Sequence, residues 1–321
     1  MIKKKKISHM IIALSVVFII VMGFVPQITT MYMTHVMSIA MITYLCVLSV
    51  YVLLGMCGQN SFAQAGLWGI GAYTAGNVLL HTNLGSIGSL ILAIIVTAMV
   101  TFILGFAFFR LKQYYFTFAS IGLMTILNGV FMNLTPVTGG ALGLKNIPTF
   151  EFFGFKLTTE FEKYYFILAV CIIATLLILK LFSSALGRSF MAIRDNEMAA
   201  NSMGINSLIT KSIAWGISGA LCGAAGALYA SLSGYLSYQS FTYTQSTMYL
   251  IMIMIGGTIS PVGAIIGTLL LSIFQESVRS LQNYMQLIYG VGVIILMIVQ
   301  PEGILGGGKA LYERIKNRYA K

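Results

Sequence analysis

The residues with the strongest potential for chemistry or recognition lie in one polar stretch, 184–211, which separates two apolar segments. Asp195 is the only aspartate of the chain, and Asn196 and Glu197 follow it. Asp195 or Asn196 can cap a short helix, and Glu197 would then lie in its first turn, where a negative charge is favourable. Gly204 can end this helix in the left-handed conformation. The stretch therefore predicts a helix of roughly two turns at a membrane face.

This predicted helix can serve one of two purposes. Its expected exposed side chains are Met191, Ile193, Met198 and Met203, beside the charged Arg188, Arg194 and Glu197. Soft apolar and charged groups side by side suit docking into a groove of a partner protein. Alternatively, the helix lies in the membrane interface and only connects two spans. The residues alone leave both interpretations open.

A second polar group lies within apolar sequence, in the segment 58–76, which reads GQNSFAQAGLWGIGAYTAG. Polar side chains at membrane depth either line a pathway beside a broken helix or bond to neighbouring helices. For Ser61 taken alone, the second interpretation is favoured. The candidates for pathway lining are Gln59, Asn60, Ser61, Gln64 and, further along the chain, Asn128.

The sequence contains no pattern typical of an enzyme active site or of a nucleotide-binding site. The segment 303–310, GILGGGKA, resembles a phosphate-binding loop, but Ala310 stands where the motif needs a hydroxyl for magnesium. The histidines share no ligand spacing, and the cysteines fall in apolar segments as small packing residues. These residues are His9, His35, His81, Cys46, Cys57, Cys171 and Cys222. We therefore expect no catalytic residue, cofactor or metal in this chain.

The elements that must position these groups follow from the distribution of charge. Of the 321 residues, 58% are hydrophobic and 8% are charged, against about 25% in a typical soluble domain. No Asp, Glu, Lys or Arg occurs in 7–109, 113–144 or 212–275. A spanning helix needs about 20 apolar residues. The chain is therefore predicted to be an all-α, polytopic integral membrane protein forming one membrane domain over 1–321, with no strand pattern.

About ten transmembrane helices are predicted, and the first is an uncleaved span rather than a signal peptide. Their approximate bounds are 8–25, 36–56, 62–82, 87–109, 115–135, 164–183, 212–232, 246–258, 262–281 and 284–301. The pairs Gly219/Gly223 and Gly263/Gly267 have the spacing that lets membrane helices pack closely.

The positive-inside rule predicts the orientation of these spans. With both termini inside, 15 of the 19 Lys and Arg residues are cytoplasmic, since only Lys145, Lys156, Lys163 and Arg279 lie outside. The net charge of +11 is thus explained by membrane orientation, and nucleic acid is not expected as a partner. The stretches 184–211 and 302–321 become cytoplasmic, and 136–163 becomes an outer loop.

Six stretches together resemble one family, the LivM-type permeases of bacterial ABC importers for branched-chain amino acids. They are GQNSFAQAGLWGIGAYTAG, TGGALGL, ALGRSFMAIRDNEMAANSMGIN, SGALCGAAGALYA, SPVGAIIGTLL and YGVGVIILMIVQPEGILG, at 58–76, 138–144, 185–206, 218–230, 260–270 and 289–306. The resemblance covers most of the chain in the right order. The sequence departs from the family pattern at Ala141 and around 62–64.

The resemblance implies a type II ABC importer permease in the bacterial inner membrane. The implied partners are a second, LivH-type permease, two cytoplasmic ATPases that bind ATP and magnesium, an extracytoplasmic amino-acid-binding protein and membrane lipid. It also favours docking for the helix in the stretch 184–211, where the segment from Gly187 to Gly204 is implied to engage the ATPase. The implied ATPase-coupling residues are Gly187, Arg188, Arg194, Asp195, Asn196, Glu197 and Gly204.

Two alternative functions remain open at this stage. Urea and short-chain amide importers use similar permeases, so the solute rests on the resemblance alone. An ion-coupled secondary carrier is the other alternative. Carboxylates are scarce inside the spans, and the nearest, Glu276, can pair with Arg279 three residues on. This scarcity argues against proton coupling.

Overall fold

The computed structural model describes residues 30–82, 84–111, 113–152, 155–258 and 260–277, together with positions 26 and 290. Several sequence expectations lie outside these residues. They are the predicted spans 8–25 and 284–301, His9, Arg279, the segment 303–310 and the tail 302–321.

Two long helices form the centre of the described part of the chain. Helix α1, Met31–Val50, continues into a π-helical turn, Tyr51–Met56, and most of its residues are buried. Helix α9, Ser207–Ser233, is the other largely buried helix and packs against α1. Since both are apolar and enclosed by other helices, they make the protein core to which the remaining elements attach.

Helices α2, Gln64–His81, and α3, Gly85–Phe108, pack tightly on α9. A Cβ atom added to Gly223 would lie 2.6 Å from the Ala93 carbonyl oxygen, and one on Gly71 would lie 2.6 Å from the Gly223 Cα. Gly219 likewise faces Thr97 and Thr101 of α3. The predicted close packing at Gly219/Gly223 is therefore confirmed, and it brings three helices together at backbone distance.

Helices α4, Gln113–Asn133, and α6, Glu160–Ser183, lie at the periphery and leave much of their surface exposed. Helix α6 begins four residues before the predicted bound, because Thr159 and Glu162 form a capping box at its start. Its exposed side includes Ile173, Leu176 and Leu177, as expected of a surface that meets lipid.

The loop between α4 and α6 is folded over one end of the helices. It contains the short helix α5, Thr135–Thr138, a 3₁₀ turn, Gly140–Leu142, and the antiparallel strands β1, Glu151–Phe152, and β2, Phe155–Lys156. The all-α prediction did not include this two-residue pairing. The pairing closes a hairpin outside the apolar segments. The helical period and the length of a membrane span, from which the elements were predicted, do not apply to this loop.

Helices α7, Ala185–Asp195, and α8, Glu197–Ser202, cover the opposite end of the helices, between α6 and α9. Helices α10, Tyr243–Gly256, and α11, Pro261–Ser277, follow α9 and are bent against each other by 114°. Their backbones nearly touch where Gly256 faces Gly263. The predicted close packing at Gly263/Gly267 is confirmed, since Gly267 faces the Met252 backbone.

In the described residues the chain is helical apart from the small hairpin, in agreement with the predicted all-α class. Five of these helices are long and apolar enough to cross a membrane, or six if α10 and α11 form one broken span. The predicted count of about ten is not confirmed. Each of the eight predicted spans inside the described ranges coincides with a helix. However, α2 is too polar in composition to count as a membrane-spanning candidate, and α10 and α11 qualify only when they are taken together as one bent span.

Candidate functional site: the α7–α8 segment and the face of α4

The α7–α8 segment comprises residues 185–204 and differs from the single short helix predicted for it. Ser184 caps α7 through a bond from the Gly187 N–H to its Oγ, at 3.1 Å. Asn196 caps α8, accepting from the Ala199 N–H at 3.0 Å, and its extended backbone breaks the two helices apart. The predicted cap was open between Asp195 and Asn196, and Asn196 fills it.

One face of α7 is buried, and this corrects the expectation that Ile193 is exposed. Gly187, Phe190 and Ile193 recur every three residues and point at the ends of α1 and α6. Gly187 approaches the last turn of α6 so closely that a Cβ there would meet the Leu181 carbonyl oxygen. Ile193 is therefore part of the core, because it shares this inward face with the buried Phe190.

The outward side of the segment carries two prominent apolar side chains. Met198 is 82% exposed and Met203 is 84% exposed, as predicted, whereas Met191 is half-buried. Glu197 lies in the first turn of α8, and Gly204 ends the segment with a φ of 85°, a left-handed conformation that favours glycine. Arg188 is exposed and donates to the Ser183 carbonyl at 3.0 Å. The surface is apolar at its tip and charged at its flanks.

Two polar contacts fasten this segment to the central helices. The Lys211 ammonium of α9 lies 2.6 Å from the Glu197 carboxylate, with the lysine side chain only 5% exposed. On α7, the Arg194 guanidinium donates to the Gly55 carbonyl of the π-helical turn at 2.6 Å. Asp195 accepts two further bonds from Arg194, at 3.2 and 3.3 Å. The charged residues thus bond inward as well as facing solvent.

The polar residues at 59–64 lie inside the protein, with the exception of the exposed Asn60. Gln59, Ser61 and Gln64 are buried, and the Gln64 amide donates to Ser218 at 3.2 Å. Asn128 is part-buried and donates to the Tyr238 and Phe241 carbonyls at 3.0 and 2.6 Å. The Gln64 bond joins α2 to α9, and the Asn128 bonds join α4 to the segment between α9 and α10. A role of these five residues in translocation stays a prediction.

Serines from other helices satisfy the N–H groups at the start of α2, which begins within the packed helices. The Phe62 N–H donates to Ser120 of α4 at 3.0 Å, and the Ala65 N–H donates to Ser246 of α10 at 2.9 Å. The side-chain oxygens of Gln59 and Gln64 have no hydrogen-bond partner among the described residues. Such capping from separate helices holds α2, α4 and α10 in register, and it could not be found from local sequence.

The exposed face of α4 is a feature that the sequence reasoning missed. Gly122, Thr125, Gly129 and Asn133 recur along it at spacings of three and four, and a Cβ added to either glycine would meet no atom within 4 Å. Helix α3 is comparably exposed but far more apolar, and its outer face carries Ile91, Ile95, Met99 and Ile103. Small and polar residues at this spacing were the available signal, because lipid-facing positions are otherwise bulky and apolar.

The end of the helices opposite α7 and α8 carries an ion cluster and an exposed turn. Glu160 bonds both to His35 of α1, at 2.9 Å, and to Lys163, at 2.8 Å. The loop 136–163 is pinned to the segment after α9 by paired backbone bonds between Leu144 and Leu236, at 2.9 and 3.0 Å. Leu142 projects from this loop and is 74% exposed.

Metal-binding groups are not assembled within the described ranges, which hold no cluster of three or more His, Cys, Asp or Glu residues. The four cysteines are buried and free, and they pack among apolar side chains as expected.

Comparison with known proteins places this chain in a family. The family described as the branched-chain amino acid transport system permease component matches residues 32–299. No solved structure matches the chain.

Curated relatives span bacteria and an archaeon. The chain is 30% identical, over 292 residues, to the high-affinity branched-chain amino acid transport system permease protein LivM of Escherichia coli, covering 84% of this chain and 68% of the relative. It is 29% identical to the LivM of Salmonella typhimurium, with the same coverage. It is 25% identical to a probable LivM of Methanocaldococcus jannaschii, over 71% of this chain and 72% of the relative. With its apolar helices, the chain is a multi-pass membrane protein and belongs to the family of branched-chain amino acid transport permease components.

Proposed function

We propose that this chain is a membrane-spanning permease subunit of an ATP-driven importer for branched-chain amino acids. The observation that carries this proposal is the match of residues 32–299 to the permease family, together with relatives whose printed names specify this transport. The α7–α8 segment supports dependence on a separate ATPase, because its exposed Met198 and Met203 suit docking to a partner and the sequence shows no nucleotide-binding pattern. ATP and magnesium belong to partner subunits.

The partner of the α7–α8 segment is a cytoplasmic ATPase. Met198 and Met203 are two unbranched side chains that project beyond the helices, and such side chains fit an apolar groove without a fixed shape. The flanking Arg188 and Asp195 are exposed and can set the register of docking. Two ATPases serve the complete importer, one for each permease.

The partner of the α4 face is a second, related permease, and the solute passes between the two. Small and hydroxyl-bearing residues at exposed positions of a membrane helix favour packing on another subunit or lining a wet pathway. Gly122, Thr125 and Gly129 therefore form the proposed inter-subunit face. The predicted pathway residue Asn128 lies beside this face.

The loop 136–163 is proposed to meet an extracytoplasmic binding protein that delivers the solute. Two backbone hydrogen bonds between Leu144 and Leu236 hold this loop, and the exposed Leu142 lies two residues before Leu144. With the loop 136–163 on the outer side of a bacterial cell membrane, α7, α8 and both termini are cytoplasmic. ATP binding closes the ATPases, and the movement of α7 and α8 switches the helices between outward and inward access.

The test is uptake by the complete importer in proteoliposomes. The chain is reconstituted with the second permease, the two ATPases and the binding protein, with ATP enclosed on the ATPase side. Labelled leucine should accumulate, and unlabelled isoleucine and valine should compete, whereas urea should not. Accumulation of labelled urea or acetamide without leucine would refute the solute and leave the importer class in place.

A further inference from the structure

The C-terminal end of α1 has an unusual construction. It continues into the six-residue π-helical turn Tyr51–Met56, and the chain then turns at Gly58 with a φ of 71°. The Gly58 N–H bonds to the Leu54 carbonyl and the Gln59 N–H to the Leu53 carbonyl, at 3.2 and 2.9 Å. Carbonyls in the last turn of a helix lack partners within the helix. The Gly55 carbonyl is one of these, and a residue 139 positions away supplies its partner.

That partner is Arg194, at the end of α7. Its guanidinium donates to the Gly55 oxygen at 2.6 Å and holds Asp195 on its other edge. A cation at a helix C-terminus is favourable, since the negative end of the helix dipole lies there. The backbones of Gly58 and Arg194 also lie close together, because a Cβ added to Gly58 would lie 3.3 Å from the Arg194 Cα. Arg194 therefore bonds to the end of α1, while part of its side chain stays exposed.

The same turn touches the bend between α10 and α11. A Cβ added to Gly55 would lie 2.7 Å from the Thr258 carbonyl oxygen and 2.6 Å from the Tyr51 ring. Thr258 follows Gly257, the C-cap of α10, whose φ is 108°. Three elements thus meet at Gly55: the end of α7, the π-helical turn of α1 and the bend after α10. None of them is joined to another directly along the chain.

We propose that Arg194 is a positioning residue that carries the motion of the α7–α8 segment to the end of α1 and to the α10–α11 bend. This inference rests on the proposed function and deepens it. The spans covalently joined to the segment are α6 and α9, so sequence order alone routes the motion through those two helices. The Arg194 contact adds a route to α1, which packs on α10 and α11 as well as α6 and α9. The π-helical turn, whose hydrogen bonds are already irregular, is the deformable part of that route.

The first arm of the test separates transmission from docking. The complete importer is purified with Arg194→Gln, Arg194→Lys or the control Lys180→Gln, which removes an exposed cation from α6 near the same end. Arg194→Gln should keep its ATPases bound and hydrolyse ATP, while leucine uptake per ATP falls by about tenfold or more. Arg194→Lys should recover part of the uptake, and Lys180→Gln should match the wild type. Normal uptake per ATP in Arg194→Gln would refute the relay, and so would loss of bound ATPase, which would indicate a docking role.

The second arm replaces the hydrogen bond by a covalent one. A Cβ at Gly58 would lie 3.3 Å from the Arg194 Cβ, close to the spacing that a disulfide bridges. The variant Gly58→Cys/Arg194→Cys is prepared with Cys57→Ala, and copper phenanthroline is the oxidant. Uptake per ATP should be low in the reduced sample and rise several-fold on oxidation of the same sample. Failure of the formed disulfide to raise it would overturn the relay, whereas absence of leucine uptake by the wild-type importer would overturn the proposed function itself.

Discussion

The ion pair between Glu197 and Lys211 predicts that removing one member destabilises the protein more than removing the other. The two side chains are 2.6 Å apart, but Lys211 is 5% exposed and Glu197 is 43% exposed. Replacing Glu197 by Ala leaves an ammonium buried without its carboxylate. Replacing Lys211 by Met removes that buried charge, keeps most of the apolar stem, and leaves a carboxylate that water can reach.

The size of the difference follows from these exposures. A hydrogen bond to a charged group contributes about 1.5–3 kcal/mol, and breaking a fully buried ion pair costs about 3–5 kcal/mol. Because Glu197 is half-exposed, we expect about 2–3 kcal/mol for Glu197→Ala and about 1 kcal/mol or less for Lys211→Met. At about 2 °C per kcal/mol for a chain of this size, the Tm falls by about 4–6 °C in the first variant and by about 2 °C or less in the second.

Thermal unfolding of the detergent-solubilised protein measures this difference. The chain has two tryptophans, Trp68 and Trp215, and both are buried, so their fluorescence reports loss of the helix packing. The double variant Lys211→Met/Glu197→Ala should unfold close to Lys211→Met, since the unpaired ammonium is gone. Glu151→Ala is the matched control, because its pair with Lys156 is longer, at 3.5 Å, and more exposed. Equal losses from the two single variants, or a larger loss for Lys211→Met, would refute the reasoning.

Three further predictions address packing and partners. Met198→Glu should reduce the amount of ATPase that co-purifies at unchanged Tm, because it places a charge in the docking groove; an unchanged yield of complex would count against that surface. Gly223→Ala should lower the Tm clearly, since its Cβ would press on the Ala93 carbonyl, whereas Gly216→Ala on the same helix meets atoms only at 3.5 Å or beyond and should be tolerated. Thr125→Cys should cross-link to cysteines on the second permease, and Ile95→Cys on the exposed face of α3 should not.

Helix positions were largely accessible from sequence, for a physical reason. Long charge-free stretches have no stable alternative in a bilayer, because a helix satisfies every backbone group internally. The predicted spans therefore coincide with α1, α3, α4, α6 and α9 to within several residues. Where helices are short, composition does not determine how many of them cross the membrane. Helices α10 and α11 are an example, since they qualify only as one bent pair.

The site was predicted in part. The cap and stop at Asn196 and Gly204 are local signals, and both were found. Helix α7 was missed, although Gly187, Phe190 and Ile193 mark its buried face, because only one short helix was predicted in the stretch and Ile193 was assigned to its exposed side. The bond from Arg194 to Gly55 joins positions 139 apart, and no local pattern encodes it.

The central claim is that this chain transports only as part of an ATP-driven assembly. The most direct measurement compares leucine accumulation in three proteoliposome samples: the chain alone, the complete importer with ATP, and the complete importer whose ATPases cannot hydrolyse ATP. We predict accumulation in the second sample alone, and no effect of an ionophore on it. Accumulation by the chain alone, abolished by the ionophore, would contradict the account and identify an ion-coupled carrier.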